Sequence, residues 1–155
     1  MELKFLGTGS AFNRQLGCSS AYRIVGDVNL QLFDCGEDVF DKVLKKGLLD
    51  NKEEVNVYVS HLHSDHVGSL GSLIFYCYFV KNIVPVILTG EDSSDLKTFL
   101  SVTGALKYCQ IAEAPYCIRT SHVEGMISYG FKLYIGSNKY IYYSGDSNEI
   151  RYEII

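Results

Sequence analysis

The chain has 155 residues, of which 47% are hydrophobic and 21% charged. That balance excludes a disordered chain and suits one folded domain, residues 1–155, with a core of its own. A formal net charge of −4 excludes a surface devoted to non-specific nucleic-acid binding, yet leaves room for a small anion held at a local positive site. The opening MELKFLGTGS lacks a basic stretch followed by an apolar one, so no secretory leader is expected. No apolar run is long enough to span a bilayer, and a cytoplasmic location is expected. The five cysteines are odd in number and form no C-x-x-C pair, so they are expected as scattered reduced thiols.

Taken in order, ELKFLG predicts a first strand. AYRIVGDVNLQLFDCG predicts two strands about a Gly26-Asp27 turn. EDVFDKVLKKGLL predicts an amphipathic helix, with acids in its first turn, lysines near its end and Gly47 as its stop. VNVYVS alternates with period two and predicts a strand. SLGSLIFYCYFV then predicts a mostly apolar helix, whose Phe75, Tyr76, Tyr78 and Phe79 belong to a core or to a subunit interface. VPVILTG predicts a buried strand, and EDSSDLKTFLSVTG a helix. YCIRTSH follows, and ISYGFKLYIG and KYIYYSGD predict a hairpin across Gly136-Ser137-Asn138. Mixed strands and helices of this kind predict an α/β fold, with helices covering a sheet.

Between the VNVYVS strand and the next helix lie His61, His63, Asp65 and His66, spelling H-x-H-x-D-H. One histidine alone would be unremarked. Three with an aspartate in six positions point to a metal site, because burying them without one would leave many polar groups seeking partners. A strand-to-helix loop is also where α/β sheets bind ligands.

HLHSDH after a strand resembles the signature of the metallo-β-lactamase fold superfamily. FLGTGSAFN, LFDCGEDVFDKVLK, SHVEGMISYGFKL and YSGD resemble, in the same order, further motifs of its ribonuclease Z-like branch. The resemblance implies an αββα sandwich, here its N-terminal half and the start of the second. It implies two divalent metals, zinc before manganese or iron. His61, His63 and His122 match the ligands of the first metal, and Asp65 and His66 those of the second. Asp146 matches a carboxylate that bridges both, and Asp34 an acid that orients a metal histidine. Asp65 is also the expected catalytic carboxylate. The Gly-rich GTGSAFNRQLGCSS reads equally as a plain loop or as a wall of the site.

The activity implied is hydrolysis of a phosphodiester by a hydroxide that two metals activate. Ribonuclease Z-like enzymes that trim tRNA 3′ ends carry a long tRNA-gripping arm between the third motif and the bridging aspartate. Here Asp146 follows His122 by 24 positions, so no such arm is expected. LFDCGEDVFDKVLKKGLL and SHLHSDHVGSLGSLIFY are similar to cyclic-nucleotide phosphodiesterases of this fold, of the phage anti-Pycsar type. The expected substrate is therefore a cyclic nucleotide or a similar small phosphodiester. A tRNA 3′-processing nuclease and a non-catalytic metal- or nucleotide-binding remnant are the alternatives. The family pattern continues past GD with a histidine that supplies acid/base chemistry and another that completes the second metal site. Both are absent here, which implies a truncated domain, a weak second site and slow turnover. It also leaves open a homodimer or a separate C-terminal part.

Overall fold

The computed structural model describes residues 2–149. A six-stranded sheet runs in sequence order, from β1 (Lys4–Gly7), β2 (Ser20–Val25) and β3 (Asn29–Phe33) to β4 (Glu54–Tyr58), β5 (Val86–Thr89) and β6 (Gln110–Glu113). β1 to β3 pair antiparallel, and β3 to β6 pair parallel. A second sheet holds β7 (Cys117–Arg119), β8 (Tyr129–Gly136) and β9 (Lys139–Tyr143), paired antiparallel.

The helices are α1 (Val39–Lys45), α2 (Ser64–Val67), α3 (Leu70–Lys81) and α4 (Ser94–Val102). Period-two alternation divides the strand residues between two cores. Leu30, Leu32, Val55, Val57 and Ile87 pack with Val39, Val43, Leu73, Ile74, Leu96 and Leu100 of the helices. Phe33, Tyr58 and Leu88 point the other way and meet Tyr129, Phe131, Leu133 and Tyr143 of the second sheet. The layers among the described residues are therefore helix, sheet, sheet, as three-quarters of the expected sandwich.

Parallel pairing puts the carboxyl ends of β3, β4 and β5 at one edge. β7 and β9 both run antiparallel to β8, so they also share a direction and end together. Every loop that carries an expected metal ligand leaves one of these strand ends. α3 is apolar on most sides. Its buried side holds Leu70, Leu73, Ile74 and Cys77, and Phe75 and Tyr76 pack half-buried against the same core. Phe79 remains 60% exposed beside Tyr78 and Tyr108. The hairpin falls where expected, with Ser137 and Asn138 at positive φ in its turn. All five cysteines are free thiols. No helix among the described residues is long and apolar enough to cross a membrane.

Candidate metal centre

Asp34 directly follows β3 with a φ of 61°, a left-handed backbone that aspartate tolerates better than most residues. The turn points its carboxylate into the space between the sheets, where it is fully buried. Four donors converge on it. Ser60 gives its backbone N–H to Oδ1 at 2.8 Å and its hydroxyl to Oδ2 at 2.8 Å. His66 Nδ1 and the Tyr143 hydroxyl reach Oδ2 at 2.8 and 2.9 Å. Charge-assisted bonds of this kind hold the His66 ring in one orientation.

Ser60 performs a similar service for His61. Its hydroxyl proton goes to Asp34, so it accepts from His61 Nδ1 at 3.0 Å. In both buried histidines the Nδ1 side is thus engaged and the Nε2 side faces the centre. His61 Nε2 lies 3.1 Å from His63 Nδ1, and His122 Nε2 lies 3.1 Å from that same nitrogen. A single proton on His63 Nδ1 cannot serve both neighbours. Three converging imidazole nitrogens suit a cation instead, since tetrahedral zinc with bonds of about 2.0–2.1 Å spaces its donors about 3.3 Å apart.

A second group adjoins the first. His61, His66 and Asp146 bring ligand atoms within 4.8 Å of one another, as do His61, His63 and His122. His66 Nε2 is buried without a hydrogen-bond partner of good geometry. It faces Asp146 Oδ1 at 3.3 Å and Asp65 Oδ2 at 3.5 Å. The geometry therefore makes His61 common to both groups and puts Asp65 at the margin of the second. Asp34, His61, His63, Asp65, His66, His122 and Asp146 all meet at this one edge.

Electrostatics separate the two groups. Burial, reinforced by the neighbouring His66 charge, pushes His61 down to about 4, so its lone pair is free. For His66 burial acts in the same direction, but the Asp34 and Asp146 carboxylates outweigh it and raise the imidazole to about 10. Asp146 is held below the usual carboxylate range, first by the close approach of His66 Nε2 to its carboxylate. A proton on His66 thus occupies the place a cation would take.

Backbone contacts fix the loops. Tyr129 N–H donates to the Ser60 carbonyl at 2.9 Å, tying β8 to the histidine loop. Asn148 gives its backbone N–H to the Ser121 carbonyl at 2.8 Å and its side-chain amide to the His122 carbonyl at 2.5 Å. These bonds bring the His122 and Asp146 segments together. A Cβ on Gly36 would lie 1.9 Å from the Asp65 carbonyl oxygen, so only glycine lets the turn after β3 pass under α2. Gly145 takes a φ of 55° just before Asp146.

Sequence reasoning missed Ser60 and Tyr143. Ser60 sits next to His61 in the motif itself. Tyr143 occupies an inward position of the last strand, two residues ahead of Gly145, and only the fold shows that it reaches Asp34.

The family model for the anti-Pycsar protein Apyc1 matches residues 1–101. The anti-Pycsar protein Apyc1 of Paenibacillus sp. (strain J14) is 32% identical over 170 residues, covering 94% of this chain and 66% of that protein. Ribonuclease Z of Anoxybacillus flavithermus (strain DSM 21510 / WK1) is 33% identical over 156 residues, covering 86% of this chain and 48% of that protein. The chain thus spans about half to two thirds of the length of these curated relatives. The short form of human tRNase Z superposes with a TM-score of 0.66 at 18% identity, covering 99% of this chain and 72% of that one. The metallo-β-lactamase fold protein YhfI from Bacillus subtilis gives a TM-score of 0.64 at 19% identity, covering 84% and 56%. The fold is that of the metallo-β-lactamases.

Proposed function

The chain belongs to the family of the anti-Pycsar protein Apyc1, and from that premise we propose that it is a metal-dependent phosphodiesterase acting on a cyclic nucleotide or a similar small phosphodiester. The observation that carries this reading is the pair of adjoining ligand groups, His61 with His63 and His122, and His61 with His66 and Asp146. One cation belongs to the three histidines. A second would be held by His66 and Asp146, with Asp65 beside them and His61 between the two groups. The mixture of imidazole and carboxylate suits zinc, and manganese or iron would accept the same donors.

When bound, such cations acidify a water molecule and neutralise charge on a phosphoryl group. The protein's own groups do the rest. Asp34 and Ser60 fix the two buried imidazoles, so that their Nε2 atoms need no rearrangement on binding. Asp65 is only 4% exposed and lies beside His66, where its Oδ2 can hold the proton of the attacking water. A phosphate would be drawn to the positive charge of the cations that these side chains would hold.

Ribonuclease Z-like cleavage of tRNA is the second reading, favoured by the 33% identity to a ribonuclease Z. Against it, the interval from His122 to Asp146 is filled by a short loop and the β8–β9 hairpin. The test is a side-by-side assay of the zinc-loaded protein on cyclic mononucleotides and on a pre-tRNA with a 3′ trailer. Cyclic-nucleotide hydrolysis with the trailer left intact is the expected result. Trailer removal with cyclic nucleotides untouched would establish the ribonuclease reading instead.

A further inference from the structure

A cavity of about 450 Å³ opens beside the metal centre, with His61 and His63 in its wall. That volume lies within the range of small-ligand sites. Three hydroxyl groups stand in the same wall, those of Ser60, Thr89 and Tyr129. Ser60 gives its proton to Asp34, and Thr89 donates to the Val59 carbonyl at 3.2 Å. Tyr129 differs from both. Its hydroxyl accepts from the Asp92 backbone N–H at 3.1 Å and donates to no group among the described residues. A buried hydroxyl with its proton uncommitted is a donor for whatever fills the cavity.

The tyrosine is fixed from several sides. It is 2% exposed. Its ring fills the space over Gly90, where an added Cβ would fall on ring carbons Cε1 and Cζ. Arg119 lies over the ring, with its guanidinium carbon 5.6 Å from the centroid. The Tyr129 N–H bond to the Ser60 carbonyl sets the residue against the histidine loop. The remaining wall offers an anion little. No lysine or arginine lines it, Asp92, Asp95 and Glu124 are acids, and Leu62, Leu96, Met126 and Ile127 are apolar. In such surroundings a neutral donor counts for more than it would in water.

Resting on the phosphodiesterase reading, we propose that Tyr129 is a substrate-binding residue, whose hydroxyl donates to a phosphoryl oxygen of the ester held at the histidines. An oxygen turned away from the histidines and into the cavity meets this hydroxyl, which is the one in the wall with a proton to give. The contact is made to the phosphate and not to the base, so it is the same for every nucleotide.

The test compares zinc-loaded wild type and Tyr129→Phe, each as the full chain. Phenylalanine keeps the ring over Gly90, and Asp92 is exposed, so its N–H can turn to water. Zinc affinity and melting temperature are therefore expected to stay near wild type. Affinity for inorganic phosphate, read by calorimetry, is expected to fall by about tenfold or more, and kcat/KM for cyclic AMP by at least that factor. Thr89→Val removes a hydroxyl of the same wall whose proton is already committed, and should leave phosphate affinity within about twofold. Wild type that binds no phosphate, or a Tyr129→Phe protein that binds it equally well, overturns the inference. So does a parallel loss of zinc and phosphate affinity, which would make the tyrosine a support of the fold. Should wild type leave cyclic AMP uncut, the phosphodiesterase reading fails, and the phosphate titration still decides whether Tyr129 holds an anion.

Discussion

Asp34 serves four donors with two oxygens, and its loss should be felt at the metal rather than in the fold. Asp34→Asn keeps the shape but replaces one acceptor oxygen with an N–H donor, facing donors that then have no partner. Groups that orient a metal histidine typically contribute 10- to 100-fold to affinity. Zinc binding by Asp34→Asn is expected to weaken by about that factor, read by competition with a chromophoric chelator. Tyr143→Phe removes one of the four bonds, worth about 1 kcal/mol, and should weaken binding by several-fold only. Equal affinity in wild type and Asp34→Asn would remove Asp34 from the site. The thiols offer a second check. Burial pushes Cys35 and Cys77 up to about 12, far above the working pH of thiol reagents. At pH 8 neither should be labelled in the native protein, and all five cysteines should react once it is denatured. Labelling of Cys35 in the native state would place it outside the core. At this scale the metal-type side chains were legible, because histidines so crowded have little other use. The Tyr143 bond to Asp34 spans 109 positions, and nothing local in KYIYYSGD announces it.

The β3–α1 turn and α2 form one mechanical unit. Cys35 N–H donates to the His66 carbonyl at 2.7 Å, and Ser69 N–H to the Cys35 carbonyl at 3.1 Å. The Ser69 hydroxyl adds a bond to the Gly36 carbonyl at 2.5 Å and accepts from Phe40 N–H at 3.1 Å. Gly36→Ala would drive a methyl group into the Asp65 carbonyl. The backbone must then separate there, carrying Asp65 and His66 with it. The variant is expected to melt several degrees lower and to hold less than one equivalent of zinc, measured by differential scanning fluorimetry and elemental analysis. Wild-type values for both would show that the turn has slack. Strands with period-two alternation and helices with apolar faces were readable in the sequence. β6 was not, since QIAE is an edge strand with only Ile111 packed against the core. α2 also escaped: Ser64–Val67 lies in what reads as a strand-to-helix loop, and four residues are too few to leave a periodic pattern.

At the scale of the whole molecule the metal centre is the junction of two sheets. His61, His63, Asp65 and His66 belong to the six-stranded sheet, while His122 and Asp146 belong to β7–β9. The layer order was legible through the motif resemblance, whereas the identity of His61 as the shared residue needed coordinates. Between the sheets the core is narrow, built on rings such as Phe33 stacked on Tyr58 at 4.6 Å and Tyr58 against Phe131 at 5.2 Å. Removing the cation should therefore loosen the small sheet first. Free zinc at about a hundred times its Kd stabilises a folded protein by about 2.7 kcal/mol. At about 2–4 °C per kcal/mol for a domain of this size, that is a rise of roughly 5–10 °C. The gain should be lost on chelation and absent in His122→Ala, which severs the link from the β7 side. Amide exchange should slow on zinc addition in β7–β9, with β3 and β4 little changed. The titration itself should show two steps. Three imidazoles take the first equivalent, and His66 with the Asp146 and Asp65 carboxylates takes a second, weaker one. Zinc that slowed exchange uniformly, or left the melting point of wild type and His122→Ala alike, would mean that the cation does not bridge the sheets.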